Sequence, residues 1–365
     1  MDFLSANGKA ETVRAWLQPC RIHCLATCSG LQPLRAQRLK PGATSSSSTS
    51  PMNRGPDAAR GNLLNTPCIT IMPELPEVET VLRGLRKRAL GRRIVAVEVL
   101  HTGIIAGCAE DFISQIKGRT AVSVRRKGKV LAVELAAAKA SESVYLILRL
   151  GMTGQVTIQP VETPLEPHTH VRMAFEGAKE ELRFRDVRRF GRLRCCTREE
   201  LDALFKSLGP DAQQATEEEF MGAMRGRRGA IKSWLLNQQG VSGLGNIYAD
   251  EALFEARIHP LAQPEHVSPA AACRLYRAVQ KVLEHAVKLQ GTSFRDYINI
   301  EGRPGNFLQR LRVYQKTGEP CPRCQCLIRR IVIAGRSSHY CPRCQRRPRH
   351  TAKMRGPRTS SHERS

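Results

Sequence analysis

Two identical steps, Cys321-Pro-Arg-Cys324 and Cys341-Pro-Arg-Cys344, stand sixteen residues apart near the end of the chain and constrain its fold more than any other feature. Each C-x-x-C turn offers two thiolates from one tight loop, and two such turns close a tetrahedral cage with Zn–S bonds of about 2.3 Å. Four protein ligands leave no open position, so the expected cofactor, one Zn2+ on Cys321, Cys324, Cys341 and Cys344, is structural rather than catalytic. Cys326 falls off the two-by-two pattern and reads as a bystander; Cys195, Cys196 and Cys273 read as packing residues, since nothing beside them marks an activated thiolate. Between the knuckles, Leu327 to Ile333, then Ala334-Gly335, then Arg336 to Tyr340 read as a β-hairpin with Arg336 near its turn, where a solvated charge is the plain reading.

Upstream, the apolar period changes twice. From Glu74, Val78, Val81, Leu82 and Leu85 recur at helical spacing among charged residues. Ile94 to Leu100, Val130 to Leu135 and Val144 to Leu150 are then short, β-branched or Leu-rich runs split by glycine-containing turns, the pattern of a β-rich domain. After about Glu199 the pattern turns helical, most clearly in the stripe Leu275, Ala278, Val279, Val282, Leu283, Ala286 and Val287. Residues Met1 to Ile71, with a Ser/Thr tract from Thr44 to Ser50, cannot bury a core. The segment from Gln345 to Ser365 carries seven Lys or Arg against one acid and reads as a disordered basic tail.

Lys and Arg total 58 against 33 Asp and Glu, a net charge of +25, which calls for a polyanionic partner. Nucleic acid leads, because each neutralised phosphate releases counterions, though a basic ribosomal or membrane-surface protein carries similar charge. No apolar run approaches the roughly 20 residues of a membrane span, and no secretory h-region opens the chain, so a soluble intracellular protein without a membrane partner is expected.

The string Met72-Pro73-Glu74-Leu75-Pro76-Glu77-Val78-Glu79 serves, on its simplest reading, as a helix start with proline in the first turn and acids favoured by the helix dipole. As a whole it resembles the mature N-terminus of formamidopyrimidine-DNA glycosylase, and family-like segments recur in order to about Gln345. The resemblance implies an α+β fold: an N-terminal β-sandwich with its amphipathic helix over residues 73–200, a helix-two-turn-helix domain over 201–310 and a zinc-ribbon hairpin over 311–345. It also implies a bifunctional glycosylase and abasic-site lyase that repairs duplex DNA carrying oxidised purines or abasic sites, as a monomer in the bacterial cytoplasm, associated with the nucleoid.

Carried over residue by residue, Pro73 is the expected Schiff-base nucleophile and Glu74 the proton donor to the sugar oxygen. Lys129, in Arg125-Arg-Lys-Gly-Lys129, is expected to contact phosphate and donate a proton, and Arg336 to do the same for the second elimination. Gly243-Leu-Gly-Asn246 is a glycine turn feeding a helix, with Asn246 on phosphate and Lys232 a further contact. Flipping a base out leaves a gap to fill. Met152, Arg188 and Phe190 match the family's inserted trio, although by pattern alone the apolar pair are core residues and Arg188 pairs with Asp186. His168 is expected on phosphate, no second metal is assigned to His168 and His170, and Gly291 to Phe307 matches the loop over the flipped base.

An internal proline nitrogen is an amide and cannot attack carbon. Residues 1–72 are therefore expected to be missing from the working protein. Translation from Met72 with methionine trimming meets this directly, whereas an organelle-targeting peptide must be cut at Pro73 itself; a functional disordered arm is the third reading. With the extension attached, the chain is a lesion-binding protein without a nucleophile. The enzymatic rival is the sister endonuclease VIII family, directed to oxidised pyrimidines; Leu75 and the full Pro73 to Glu79 string favour the purine branch.

Overall fold

The computed structural model describes residues 72–137, 142–293 and 297–347; the expected extension, the tail beyond residue 347 and Phe294 to Asp296 of the expected closing loop lie outside the described residues. Helix α1, Leu75–Arg88, opens with Pro76 in its first turn and places Arg86, Lys87 and Arg88 in its last, as the helix dipole favours. Val78, Val81, Leu82 and Leu85 are buried as the periodicity predicts.

The β-rich region follows as β1 Ile94–Val99, α2 Ala109–Ile116, β2 Thr120–Lys127, β3 Val130–Ala136, β4 Val144–Arg149, β5 Gly154–Pro160, β6 Thr169–Phe175, β7 Glu180–Asp186 and β8 Arg192–Cys196. These strands form two antiparallel four-stranded sheets, ordered β1-β6-β7-β5 and β2-β3-β4-β8. Their inward side chains, among them Leu131, Leu146, Val156 and Phe184, share one core with Val78, Val81, Leu82 and Leu85 of α1, the packing of a sandwich closed by a helix. Cys196 is buried, and desolvation pushes its thiol up to about 11 and that of Cys195 to about 12, so both remain protonated packing groups.

The helical region contains α3 Arg198–Lys206, α4 Glu217–Met224, α5 Ile231–Leu236, α6 Asn246–Ala256 and α7 Pro269–Lys288. Thr197 and Thr216 start their helices through reciprocal bonds with Glu200 and Glu219, and Ser268 caps α7 ahead of Pro269. The expected stripe on α7 packs against α6, and Leu75, from the first turn of α1, belongs to this second core rather than to the sandwich core. Helix α1 thereby joins the two regions. Strands β9 Arg329–Ile333 and β10 Arg336–Tyr340 form the expected hairpin, and Ala334 and Gly335 turn it with φ of 47° and 71°. Among the described residues no helix is long and apolar enough to cross a membrane.

Candidate active site and nucleic-acid interface

Pro73 and Glu74, both buried, lead into α1, where the Leu75 N–H donates to the Gly243 carbonyl at 3.0 Å and sets the first turn on the glycine turn before α6. There the Glu74 carboxylate accepts the backbone N–H groups of Gly245 at 2.7 Å, Ile247 at 2.9 Å and Tyr248 at 3.4 Å. These are the unpaired donors of a helix's first turn, whose positive end favours an anion. A Cβ on Gly245 would lie 2.3 Å from the Glu74 carboxyl carbon. Since φ at Gly245 is −131°, it is space and not backbone conformation that requires glycine there. Burial pushes the Glu74 carboxyl up to about 7; the Lys129 ammonium opposes the rise, the neighbouring Glu77 adds to it, and the α6 N–H groups oppose it.

Sequence pattern marks Glu77 only as a helix-start acid, yet it organises the back of the site. It accepts the Glu74 N–H at 2.9 Å, the Tyr248 hydroxyl at 2.5 Å and the Thr292 N–H at 2.7 Å, and Tyr297 donates to its carbonyl. Both described flanks of the expected closing loop are thus anchored on α1.

Lys129 follows Gly128 in the turn between β2 and β3. Gly128 has φ of 56°, and a Cβ there would meet Ser242 at 2.8 Å. The turn is held from the helical region by Asp211, which accepts the Gly128 N–H at 2.7 Å and the Arg126 guanidinium at 2.6 Å, while Arg126 also reaches Glu79 at 3.0 Å. The half-buried Lys129 then shares its electrostatic surroundings with Glu74, Glu77, Arg336 and Arg149; desolvation holds its ammonium below the ordinary lysine range, the two glutamates oppose that fall and the two arginines add to it. Glu74, Lys129 and Arg336 therefore converge from the start of α1, the first domain and the hairpin.

Asn246 is the first residue of α6, and its Oδ1 is buried without a hydrogen-bond partner among the described residues. Lys232 departs from expectation. It is fully buried, 2.6 Å from Asp250 of α6, and donates to the Ser337 carbonyl of β10 at 2.7 Å. An ammonium spent on two internal acceptors has no accessible face for a phosphate, so Lys232 is corrected from a DNA contact to an internal tie. Asp250 also accepts the His339 N–H at 2.9 Å, so the hairpin bearing Arg336 is bolted to the helix bearing Asn246. Single-sequence pattern could not distinguish a buried lysine from a presented one at this position.

Met152 and the Arg188–Phe190 pair occupy the β4–β5 and β7–β8 connections. Met152 is half-buried and Arg188 exposed, while Phe190, 36% exposed, carries the Arg188 guanidinium 4.9 Å from its ring centroid. Neither apolar residue is core. Asp186 accepts the N–H groups of Arg188 and Gly191 and not the Arg188 guanidinium. His168 sits on the surface with φ of 68°, whereas His170 is buried and bonds the Asp186 carbonyl.

The Sγ atoms of Cys321, Cys324, Cys341 and Cys344 lie within 4.8 Å of one another, with separations of 3.9, 3.4 and 3.5 Å for three pairs. A tetrahedron with 2.3 Å Zn–S bonds has edges of about 3.8 Å, so the four residues fit one structural zinc ion. Cys326 stands outside the set. The knuckles pack with Val313 and Ile328 on Phe254 of α6, whose ring lies 4.4 Å from the Arg323 guanidinium.

Three family profiles match in order: the formamidopyrimidine-DNA glycosylase N-terminal domain over residues 72–193, the formamidopyrimidine-DNA glycosylase H2TH domain over 207–297, and the zinc finger found in FPG and IleRS over 318–347. The formamidopyrimidine-DNA glycosylase of Desulforamulus reducens is 42% identical over 281 residues, 75% of this chain and 99% of that protein. That of Solibacter usitatus is 41% identical over 277 residues, 76% of this chain and 100% of its own. Among solved structures, Lactococcus lactis Fpg complexed with DNA containing an abasic site matches at 35% identity and a TM-score of 0.69, over 75% of this chain and 100% of that one. MutM complexed with DNA containing carbocyclic 8-oxo-G matches at 34% identity and 0.69, with the same coverage.

Proposed function

The chain belongs to the formamidopyrimidine-DNA glycosylase family, and on that footing we propose that it excises oxidised purines from duplex DNA and cleaves the resulting abasic strand, with Pro73 as its nucleophile. One observation carries the assignment of roles: the residue after Pro73 places a carboxyl tuned to about 7 on the N-terminus of α6, within the electrostatic reach of Lys129. A group that changes protonation near neutrality can give and take a proton within one turnover. The Pro73 secondary amine attacks the anomeric carbon as the base departs, and Glu74 protonates the sugar oxygen so that the ring opens. The resulting iminium draws electrons from the sugar, acidifies its protons and allows the two phosphates to leave in turn. Lys129 and Arg336 bear on those phosphates and supply protons to the leaving groups. Asn246 and His168 hold the backbone, and Met152, Arg188 and Phe190 fill the gap left by the flipped base.

Zinc, when bound, crosslinks the two knuckles, and it takes no part in the chemistry. The enzyme acts as a monomer in the bacterial cytoplasm and meets the nucleoid through DNA. The chemistry requires Pro73 to be the first residue. Support comes from the family profile, which starts at residue 72, and from relatives whose length is matched to 99 to 100% by about three quarters of this chain.

The test is to determine the N-terminal residue of the native protein and treat it with borohydride on duplexes containing 8-oxoguanine opposite cytosine. A Pro73-starting protein is expected to yield a covalent adduct, and a protein carrying residues 1–72 none. Failure of the Pro73-starting form to crosslink would sink the assignment. Faster crosslinking to 5-hydroxycytosine duplexes would favour the pyrimidine-directed sister family. Pro73→Gly leaves a primary amine with a pKa of roughly 8 and is expected to weaken or redirect trapping.

A further inference from the structure

The three inserted side chains come from two connections that cross between the sheets at one end of the sandwich. Gly151 to Thr153 lead from β4 in one sheet to β5 in the other, and Val187 to Gly191 lead from β7 back to β8. Gly154 pairs with Asp186 and Arg149 with Arg192, so the two crossings lie side by side. At Gly151, with φ of 63°, a Cβ would meet the Gly191 nitrogen at 2.6 Å, which brings the two backbones into contact.

Beside that contact, Asp186 is fully buried and its partners are neutral donors: the Thr153 hydroxyl at 2.5 Å, the Gly191 N–H at 2.6 Å and the Arg188 N–H at 3.2 Å. Thr153, itself buried, accepts the Arg188 N–H at 3.0 Å. The Asp186 backbone extends the junction to a fourth residue, its N–H donating to the His168 carbonyl at 3.0 Å. Thr153 adjoins Met152. The buried Thr153 hydroxyl and Asp186 carboxylate therefore tie Arg188 to the residues adjoining Met152 and Phe190, and the Asp186 N–H ties the same junction to His168.

Resting on the function proposed above, we infer that Thr153 and Asp186 are the positioning pair that fixes Met152 in register with Arg188 and Phe190, so that the gap is filled by one rigid wedge rather than by two loops moving separately. Neighbouring bases in a strand are about 3.4 Å apart, and a functional constellation tolerates misplacement of about 0.5 Å. Charge-assisted bonds to backbone N–H groups set position on that scale, which packing of the partly exposed Met152 and Phe190 cannot do.

The test uses the zinc-loaded, Pro73-starting protein and a duplex with a tetrahydrofuran site beside 2-aminopurine, whose fluorescence reports unstacking and then gap filling without any bond being broken. Thr153→Val is expected to slow the gap-filling phase about tenfold, and Thr153→Ser to restore it within twofold. Combined with Met152→Ala, Thr153→Val should add less than twofold, because both act through the same wedge. Asp186→Asn, which turns an acceptor into a donor facing an N–H, should repeat the Thr153→Val phenotype with zinc content unchanged. Parent-like gap filling in Thr153→Val, or a full multiplicative effect on top of Met152→Ala, overturns the inference. A parent that fills the gap but leaves 8-oxoguanine in place overturns the proposed chemistry alone; one that does neither overturns both.

Discussion

Gly245→Ala isolates the contact on which the proposed catalysis depends. The added methyl would lie 2.3 Å from the Glu74 carboxyl carbon, 2.4 Å from Oε1 and 2.7 Å from Cγ. Ordinary contact begins near 3.4 Å, so the carboxyl must retreat by about 1 Å, and φ of −131° gives the backbone no reason to move instead. Retreat weakens the bonds from Gly245 and Ile247, now 2.7 and 2.9 Å. Hydrogen bonds to a charged group contribute about 1.5–3 kcal/mol each, and overpacking costs about 1–3 kcal/mol, so a loss of about 2–4 kcal/mol in stability is expected. That lowers the melting midpoint by several degrees and leaves the protein folded. Catalysis should suffer more, because a 1 Å misplacement of a reacting group costs about a hundredfold. The assay is single-turnover release of 8-oxoguanine at saturating enzyme, with affinity for a tetrahydrofuran duplex measured alongside. A roughly hundredfold slower chemical step at near-parent affinity is expected. A rate within threefold of the parent in a folded, zinc-replete variant would refute the claim that the carboxyl must occupy this position.

Three further outcomes follow from the geometry. Glu74 takes up a proton on folding between its ordinary 4.5 and about 7, so by linkage stability falls as pH rises through that window, by about 3 kcal/mol in all; Glu74→Gln should flatten the slope of melting midpoint against pH between 5 and 8, and an unchanged slope refutes the shift. Lys232→Met leaves Asp250 buried without its cation and should cost about 3–5 kcal/mol, while adding Asp250→Asn should recover part of that loss, read by denaturant unfolding. Chelation of zinc, or Cys341→Ser, should release the hairpin from α6 and weaken duplex binding through loss of Arg336 without removing the amine, so residual borohydride trapping at high enzyme concentration should persist.

The readable parts of the sequence were those with a local cause. Thiolate spacing specifies the knuckles, Ala334-Gly335 the hairpin turn, and the period of Val78 to Leu85 the buried face of α1. Strand starts at Ile94, Val130 and Val144 coincide with the first residues of their apolar runs. Illegible were the groups whose meaning is tertiary. Lys232 looked like any cation near a glycine turn until Asp250 and Ser337 enclosed it. Asp186 was paired with a nearby Arg188 guanidinium, whereas its oxygens are taken by N–H and O–H groups folded over it. Glu77 and Asp211 become functional only because partners up to 220 residues away arrive at them. The string around Gly245 has the pattern of a phosphate-binding turn, but the anion it holds in this structure is the protein's own Glu74.

That last arrangement has a consequence for biosynthesis. Pro73 and Glu74 leave the ribosome among the earliest of the described residues, yet the N–H donors that seat Glu74 lie up to 174 residues later. At about 5–20 residues per second, roughly 10–35 s pass before α6 exists, and longer before the hairpin emerges with Arg336. On the proposed Pro73 start, a nascent chain in that interval would bear its amine but have neither the seated acid nor the cation proposed to complete the site. On that proposal the site is complete only once the hairpin with Arg336 has been translated, and a prematurely terminated product is expected to be inert.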